Sequence, residues 1–270
     1  MHAVVCIKQV PDATEVRIDP KTNTLIREGI PSIVNPYDLH AVEAAVQLRE
    51  RFGGRVTVIS MGPPQAAEAL QKCIAQGADE AILLTDRAFA GADTLATSYV
   101  LAQAIHKLNQ ERPVDLVFTG KQAIDGDTAQ VGPGIAARLG IPVLTYVCGI
   151  RSFSLEERNI VVERLLEEGR EVVRARLPAL LTVSKELNEP RYASLPSLIR
   201  AARYQVKIWT KDDIAADPNQ IGLKGSPTVV GRIFSPPERQ AGPRLAGPAP
   251  EVARKLVEQL RSRGIIAMGA

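Results

Sequence analysis

Residues 116–134 hold the pattern that most invites chemistry. An apolar run, Leu116, Val117 and Phe118, breaks at Gly120, crosses a polar turn through Lys121, Gln122, Ala123, Ile124 and Asp125, and enters a helical pattern near Asp127 that continues through Ile135, Ala136 and Leu139. Strand, loop and helix in that order aim a helix N-terminus beyond the strand, where unpaired N–H groups and the positive dipole end favour an anion such as a phosphate. Gly126, Ala129 and Gly132 keep side chains away from an approaching ligand, and Thr128 and Gln130 supply neutral hydrogen-bonding groups. Asp125 and Asp127 would repel a phosphate if they faced it. Asp127 is therefore expected as the helix N-cap, turned back on its own helix, and Asp125 as a turn former or an acceptor for a ribose hydroxyl. The same residues also fit a plain, well-capped connection with a Gly-rich turn, because a glycine loop alone is a weak signal.

A loop of this kind needs a sheet behind it, and the chain provides one in order. His2 to Ile7 is a continuous apolar run typical of a central parallel strand, followed by a polar turn from Lys8 to Asp12. Glu15–Ile18 and Thr24–Ile26 alternate around Asp19 to Asn23, which predicts a hairpin excursion. The turn Asn35, Pro36, Tyr37, Asp38 leads into a helix to Arg51, and strand, turn and helix then recur over Arg55–Ser60, Met61–Pro64 and Gln65–Gln76. A strand at Glu80–Leu84 and a helix at Thr94–Asn109 complete the alternation, which predicts a doubly wound, Rossmann-like parallel sheet of the adenine-nucleotide-binding kind. Ligands lie beyond the carboxyl ends of such strands, so the turns at Cys6–Val10, Met61–Pro64 and Thr119–Asp127 should converge.

Beyond Ile141, the runs Val143–Phe153, Ile160–Leu165 and Glu171–Arg176 predict an antiparallel meander, with Leu177–Ser184 returning to the main sheet. Leu195 and Pro196 open a short basic helix. Asp212 to Pro250 is rich in Pro, Gly and charge and reads as an extended arm, ending in a helix over Glu251–Arg263 with Val252, Leu256, Val257 and Leu260 on one stripe. The expected organisation is an α/β domain over 1–210 and an arm with helix over 211–270.

Composition narrows the function. A net charge of +3 over 270 residues, with 45% hydrophobic and 23% charged residues, gives no reason to expect nucleic acid, and Trp209 with Arg200 and Arg203 lacks the stacked aromatic pattern of an RNA platform. Cys6, Cys73 and Cys148 are widely spaced, as are His2, His40 and His106, so neither a disulfide framework nor a metal site is expected. Cys6 reads as a small apolar filler at a strand end and not as a nucleophile. A strand-like start and the lack of a run of about eighteen apolar residues predict a cytoplasmic protein without direct membrane insertion.

Several spaced motifs then point to one family. Val162, Glu163, Arg164 through Glu167, Glu168, Gly169, Glu171, Val173, Pro178, Leu180, Leu181 and Thr182 resemble the signature of the electron transfer flavoprotein beta subunit. Gly120–Asp125 resembles that family's nucleotide loop, and Asn188–Pro196, NEPRYASLP, its recognition loop, placed here within 188–203. With the opening CIKQVPD and the VNPYD turn, the likeness spans essentially the whole chain. It implies a heterodimer with an alpha subunit, on which the C-terminal arm and helix would pack, and electron exchange with a flavin dehydrogenase or quinone oxidoreductase. It also implies cofactor contacts at Cys6, Asn35, Pro36, Tyr37, Asp38, Met61, Ala123, Asp125, Gly126, Asp127, Thr128, Ala129, Gln130, Val131, Gly132 and Pro133. Partner contacts are implied at Leu195, as the hydrophobic anchor, with Arg191 and Tyr192 beside it. Glu163 resembles a family acid that pairs with an arginine of the alpha subunit; a solvated strand face is the plainer reading.

Within the family, one branch holds AMP as a structural plug and another holds a second FAD used for flavin-based electron bifurcation with NADH. The AMP branch usually carries a third acid where this chain has Gly126, and bulkier polar residues near Ala129 and Val131. The DGDTAQVGP wording and the later GLKGSPT, Gly222–Thr228, resemble the bifurcating branch, so FAD is the expected cofactor, AMP the alternative, and NAD a candidate substrate.

Overall fold

A computed structural model describes residues 1–12, 17–18, 25–26, 32–231, 242 and 244–266. The first strand, β1 (His2–Cys6), is buried along its whole length and sits in the middle of a nine-stranded sheet. After β2 (Gln9–Pro11), the two-residue strands β3 (Arg17–Ile18) and β4 (Leu25–Ile26) pair antiparallel, as the expected hairpin requires; Glu15, Val16 and residues 19–24 of that excursion lie outside the described residues. β5 (Ser32–Val34) pairs with β2 and delivers the chain to α1 (Pro36–Phe52), which opens on a proline whose missing N–H costs a helix nothing there.

Strand and helix then alternate: β6 (Arg55–Met61), α2 (Ala67–Gln76), β7 (Glu80–Leu84), α3 (Thr94–Glu111), β8 (Leu116–Gly120) and α4 (Val131–Leu139). Gly77 stops α2 at φ 129°, where an added Cβ would sit 3.1 Å from Val46. β1, β6 and β7 step outward in parallel, whereas β8 returns to the other side of β1. The sheet therefore reverses direction between β1 and β8, which is where ligands gather in folds of this kind. Because each central strand is covered on both faces, alternate residues serve two layers. Val5, Ile7, Val58 and Leu83 pack with α1 and α2; Val4, Cys6, Ile59, Ile82 and Val117 pack with α3 and α4.

The meander, β9 (Val143–Ser154), β10 (Asn159–Leu166) and β11 (Gly169–Arg176), extends the sheet, since β9 lies parallel to β12 (Ala179–Val183) and antiparallel to β10. α5 (Leu195–Arg203) follows, and β13 (Lys207–Trp209) closes the far edge beside β7. The compact unit runs from Met1 to Ile233, past the boundary expected at 210. The extended reading of the arm is corrected over 211–226: Ile214 and Ile221 are buried, Asp217 N–H donates to the Tyr99 hydroxyl, and Asp93 N–H donates to the Ser226 hydroxyl. Two isoleucines spaced among charge and proline anchor it. The second unit, Phe234–Ala270, contains α6 (Ala249–Ser262), on which Leu256 and Val257 are exposed. Among the described residues no helix is long and apolar enough to cross a membrane.

Candidate functional site

The carboxyl ends of β1 and β8 are tied together by α1's first turn. Asp38 is buried, and its carboxylate accepts the Lys8 N–H at 2.7 Å and the Gly120 N–H at 3.0 Å, one donor from each strand end. Burial pushes its pKa up to about 7, against the downward pull of the Asn35 amide and the two N–H donors. Gly120 is required there because a Cβ would meet Asp38 Oδ1 at 2.3 Å. Asn35, also buried, holds the next stretch: its Nδ2 donates to the Gln122 carbonyl at 2.9 Å and its Oδ1 accepts the Ile124 N–H at 3.2 Å.

Loop 121–130 then arches over this edge. Ala123 accepts from the Asp127 N–H, the Gln122 amide donates to the Asp127 carboxylate at 2.7 Å, and Lys8 Nζ meets both Asp125 oxygens at 2.8 and 2.7 Å. Asp127 and Ala129 adopt φ of 51° and 54°, the left-handed region that non-glycine residues avoid. Strain of this kind clusters at ligand sites, and alternation into that region turns successive N–H groups toward one concavity. Asp125 to Thr128 are exposed, so the edge is an open shelf. Hollows of about 220 and 400 Å³ lie elsewhere, against α1.

The expectation that Asp127 caps α4 is corrected. The helix starts at Val131, its N-cap is Gln130, and no side chain caps it, whereas Asp93 caps α3 through the Leu95 and Ala96 N–H groups. The Gln130 side chain instead accepts from the Thr94 hydroxyl. With no carboxylate on its first turn, α4 presents bare donors and a positive end to the shelf. Gly132 is corrected as well, because a Cβ there would strike Thr182 Cγ2 at 2.7 Å and Thr119 Oγ1 at 2.8 Å. The missing side chain lets the helix pack on the sheet. Gly126 has nothing within 4 Å of where a Cβ would sit.

Cys6, Asn35, Pro36, Asp38, Ala123, Asp125 and Asp127 thus meet at one edge, with Met61 at the end of the neighbouring strand β6 and Val131 and Pro133 on the first turns of α4. Burial drives the Cys6 thiol pKa far above its ordinary value, which agrees with a filler and not a nucleophile. Tyr37 lies under the Lys185 ammonium, 5.1 Å from its ring centroid. Sequence places Lys8 only within a polar turn; the signal of its role is a lone base directly behind a buried strand.

The residues expected to meet partners lie apart from this shelf. Leu195 is 70% and Tyr192 100% exposed. Arg191 is engaged within the chain: its guanidinium forks onto Glu43 and Glu50 at 2.5–3.0 Å, its backbone N–H donates to Glu43 at 3.1 Å, and these two acids raise its pKa further. Glu163 does not lie on a solvated strand face. It is 8% exposed and paired with Arg170 and Arg151, whose guanidinium groups hold its carboxyl below the usual range.

Fold and site together define a doubly wound α/β protein with an open shelf beside the uncapped start of α4 at its topological switch point. The profile of the electron transfer flavoprotein domain matches residues 22–214. An electron transfer flavoprotein subunit beta from Thermoanaerobacterium thermosaccharolyticum is 54% identical over 98% of this chain and all of its own length. Protein FixA from Bradyrhizobium diazoefficiens is 52% identical, covering 96% of this chain and 91% of its own. A caffeyl-CoA reductase–Etf complex subunit, CarD, from Acetobacterium woodii is 52% identical over 98% of this chain and all of its own. The chain belongs to the electron transfer flavoprotein family, on its beta-subunit side.

Proposed function

We propose that this chain is the beta subunit of a heterodimeric electron transfer flavoprotein that holds FAD on the shelf above β1, β6 and β8. In that role it exchanges electrons with the FAD of an alpha subunit, with NADH or a flavin dehydrogenase as donor, by flavin-based bifurcation. The observation that carries this reading is the side-chain-uncapped start of α4, preceded by two left-handed non-glycine residues, at the switch point of the sheet. Gly126, with open space around it, and the small Ala129 favour a bulky ring system over a plug. When bound, the flavin supplies the redox chemistry, and the protein contributes seat, orientation and field. Asn35 and Asp38 hold the shelf rigid; Thr128 and the first N–H groups of α4 are the donors for phosphate oxygens.

The likeness to a subunit of a caffeyl-CoA reductase–Etf complex supports an alpha-type partner and a reductase as the third member. Leu195 and Tyr192 are the exposed anchors for that contact, while the helix of the second unit, with its exposed apolar stripe, packs on the alpha subunit. The other reading is AMP in the same seat, with FAD confined to the partner; the phosphate seat suits both. The heterodimer is to be co-purified, its nucleotides released with acid, and flavin counted per dimer. Two FAD are expected; one FAD with one AMP would refute the bifurcating role.

A further inference from the structure

Charge on the shelf does not suit an anion without help. Loop 121–130 carries two acids, Asp125 and Asp127, and a single base, Lys121, whose ammonium lies 5.0 Å from the centroid of the Tyr146 ring. The Asp127 carboxylate is held by the neutral Gln122 amide. Asp125 is different, because Lys8 approaches both of its oxygens from a strand end 117 positions away in the chain. Lys8 is also fixed at its backbone, with its N–H on Asp38 and its carbonyl accepting from the Asn35 N–H.

We propose that Lys8 is a positioning residue of the nucleotide seat: by neutralising Asp125 through both oxygens, it allows a phosphate to settle at the start of α4. The inference rests on the nucleotide-binding reading given above. Half of the Lys8 side chain and about a third of that of Asp125 are exposed, so the pair contributes little to folding. Its effect falls on the ligand. A bare unit charge about 10 Å from an anion, at an effective dielectric of about 20, changes affinity by roughly tenfold.

The test uses the nucleotide-stripped heterodimer, with FAD and AMP titrated separately by calorimetry. Lys8→Met should weaken the nucleotide that binds by roughly tenfold while leaving the melting temperature of the dimer unchanged. Asp125→Asn sets its own baseline, because Asp125 is itself an implied contact, and adding Lys8→Met to that variant should weaken binding by less than about threefold. Wild-type affinity in Lys8→Met, or the same tenfold loss when Lys8→Met is added to Asp125→Asn, would each overturn the proposal while leaving the nucleotide reading standing. A wild-type dimer that binds neither nucleotide would remove that reading and this inference with it.

Discussion

Asp38 is where two opposing pulls on a carboxylate meet. Two backbone donors and the Asn35 amide favour the charged form, and burial, the larger influence, favours the neutral one. In the folded chain the proton is held up to about pH 7, whereas the unfolded chain releases it near 3.8. Between those values the native state binds more protons, so the stability contributed by this residue falls as pH rises from about 4 to 7 and is level beyond. Urea melts should show the wild type losing more stability than Asp38→Asn between pH 5 and pH 8, and parallel pH profiles would contradict this. The glycines separate just as sharply. Gly132→Ala should cost about 1–3 kcal/mol because its Cβ meets Thr182 and Thr119, while Gly126→Leu should melt like the wild type and lose flavin. Sequence distinguished neither glycine from the other, since an open position and a packed one look alike until β8 and β12 are placed beside the helix.

α1 is the element that links the shelf to the docking segment. Its first turn carries Asn35 and Asp38, while His40, Glu43 and Glu50 farther along hold Asn188 and Arg191. Glu43 is 2% exposed, and its carboxyl stays below the ordinary range because Arg191 and Gln47 outweigh the upward effect of burial. Arg191→Met would leave that acid buried without its cation. A loss of roughly 2 kcal/mol is expected, discounted for the half-buried guanidinium, together with faster proteolysis around residues 188–194. Leu195→Ala should behave in the opposite way: at 70% exposure it leaves stability within about 0.5 kcal/mol, yet it should slow electron delivery to a dehydrogenase without releasing nucleotide. The stripe of α2 was legible as periodicity, whereas α1 and α3, buried over consecutive residues at 41–46 and 98–102, were legible through their length and the turns that flank them. The start of α4 was not, because the ladder of turns from Ala123 to Gln130 is set by Asn35 and Lys8, far away in sequence.

At the scale of the molecule, the first unit has its own two-layer core and should stand alone. The chain cut after residue 233 is expected to melt within a few degrees of the full chain by circular dichroism and to fail to co-purify with an alpha-type partner. Retained co-purification would move the subunit contact off the second unit. Residues 211–226 belong to the first unit through Ile214 and Ile221, a docking that composition concealed under proline, glycine and charge.

The amino-acid sequence alone determined the alternation of the long strands and helices, the doubly wound sheet, the three converging turns and the family, because these are local signals that survive without coordinates; the short strands β2, β5 and β13 appeared only in the fold. Tertiary structure decided which acid is capped by what: Asp125 by Lys8, Asp127 by Gln122, Glu163 by Arg151 and Arg170, and Glu43 by Arg191. These partners lie between 5 and 148 residues apart in the chain. Electrostatic pairing acts through space, so only the packed sheet could say which charge answers which.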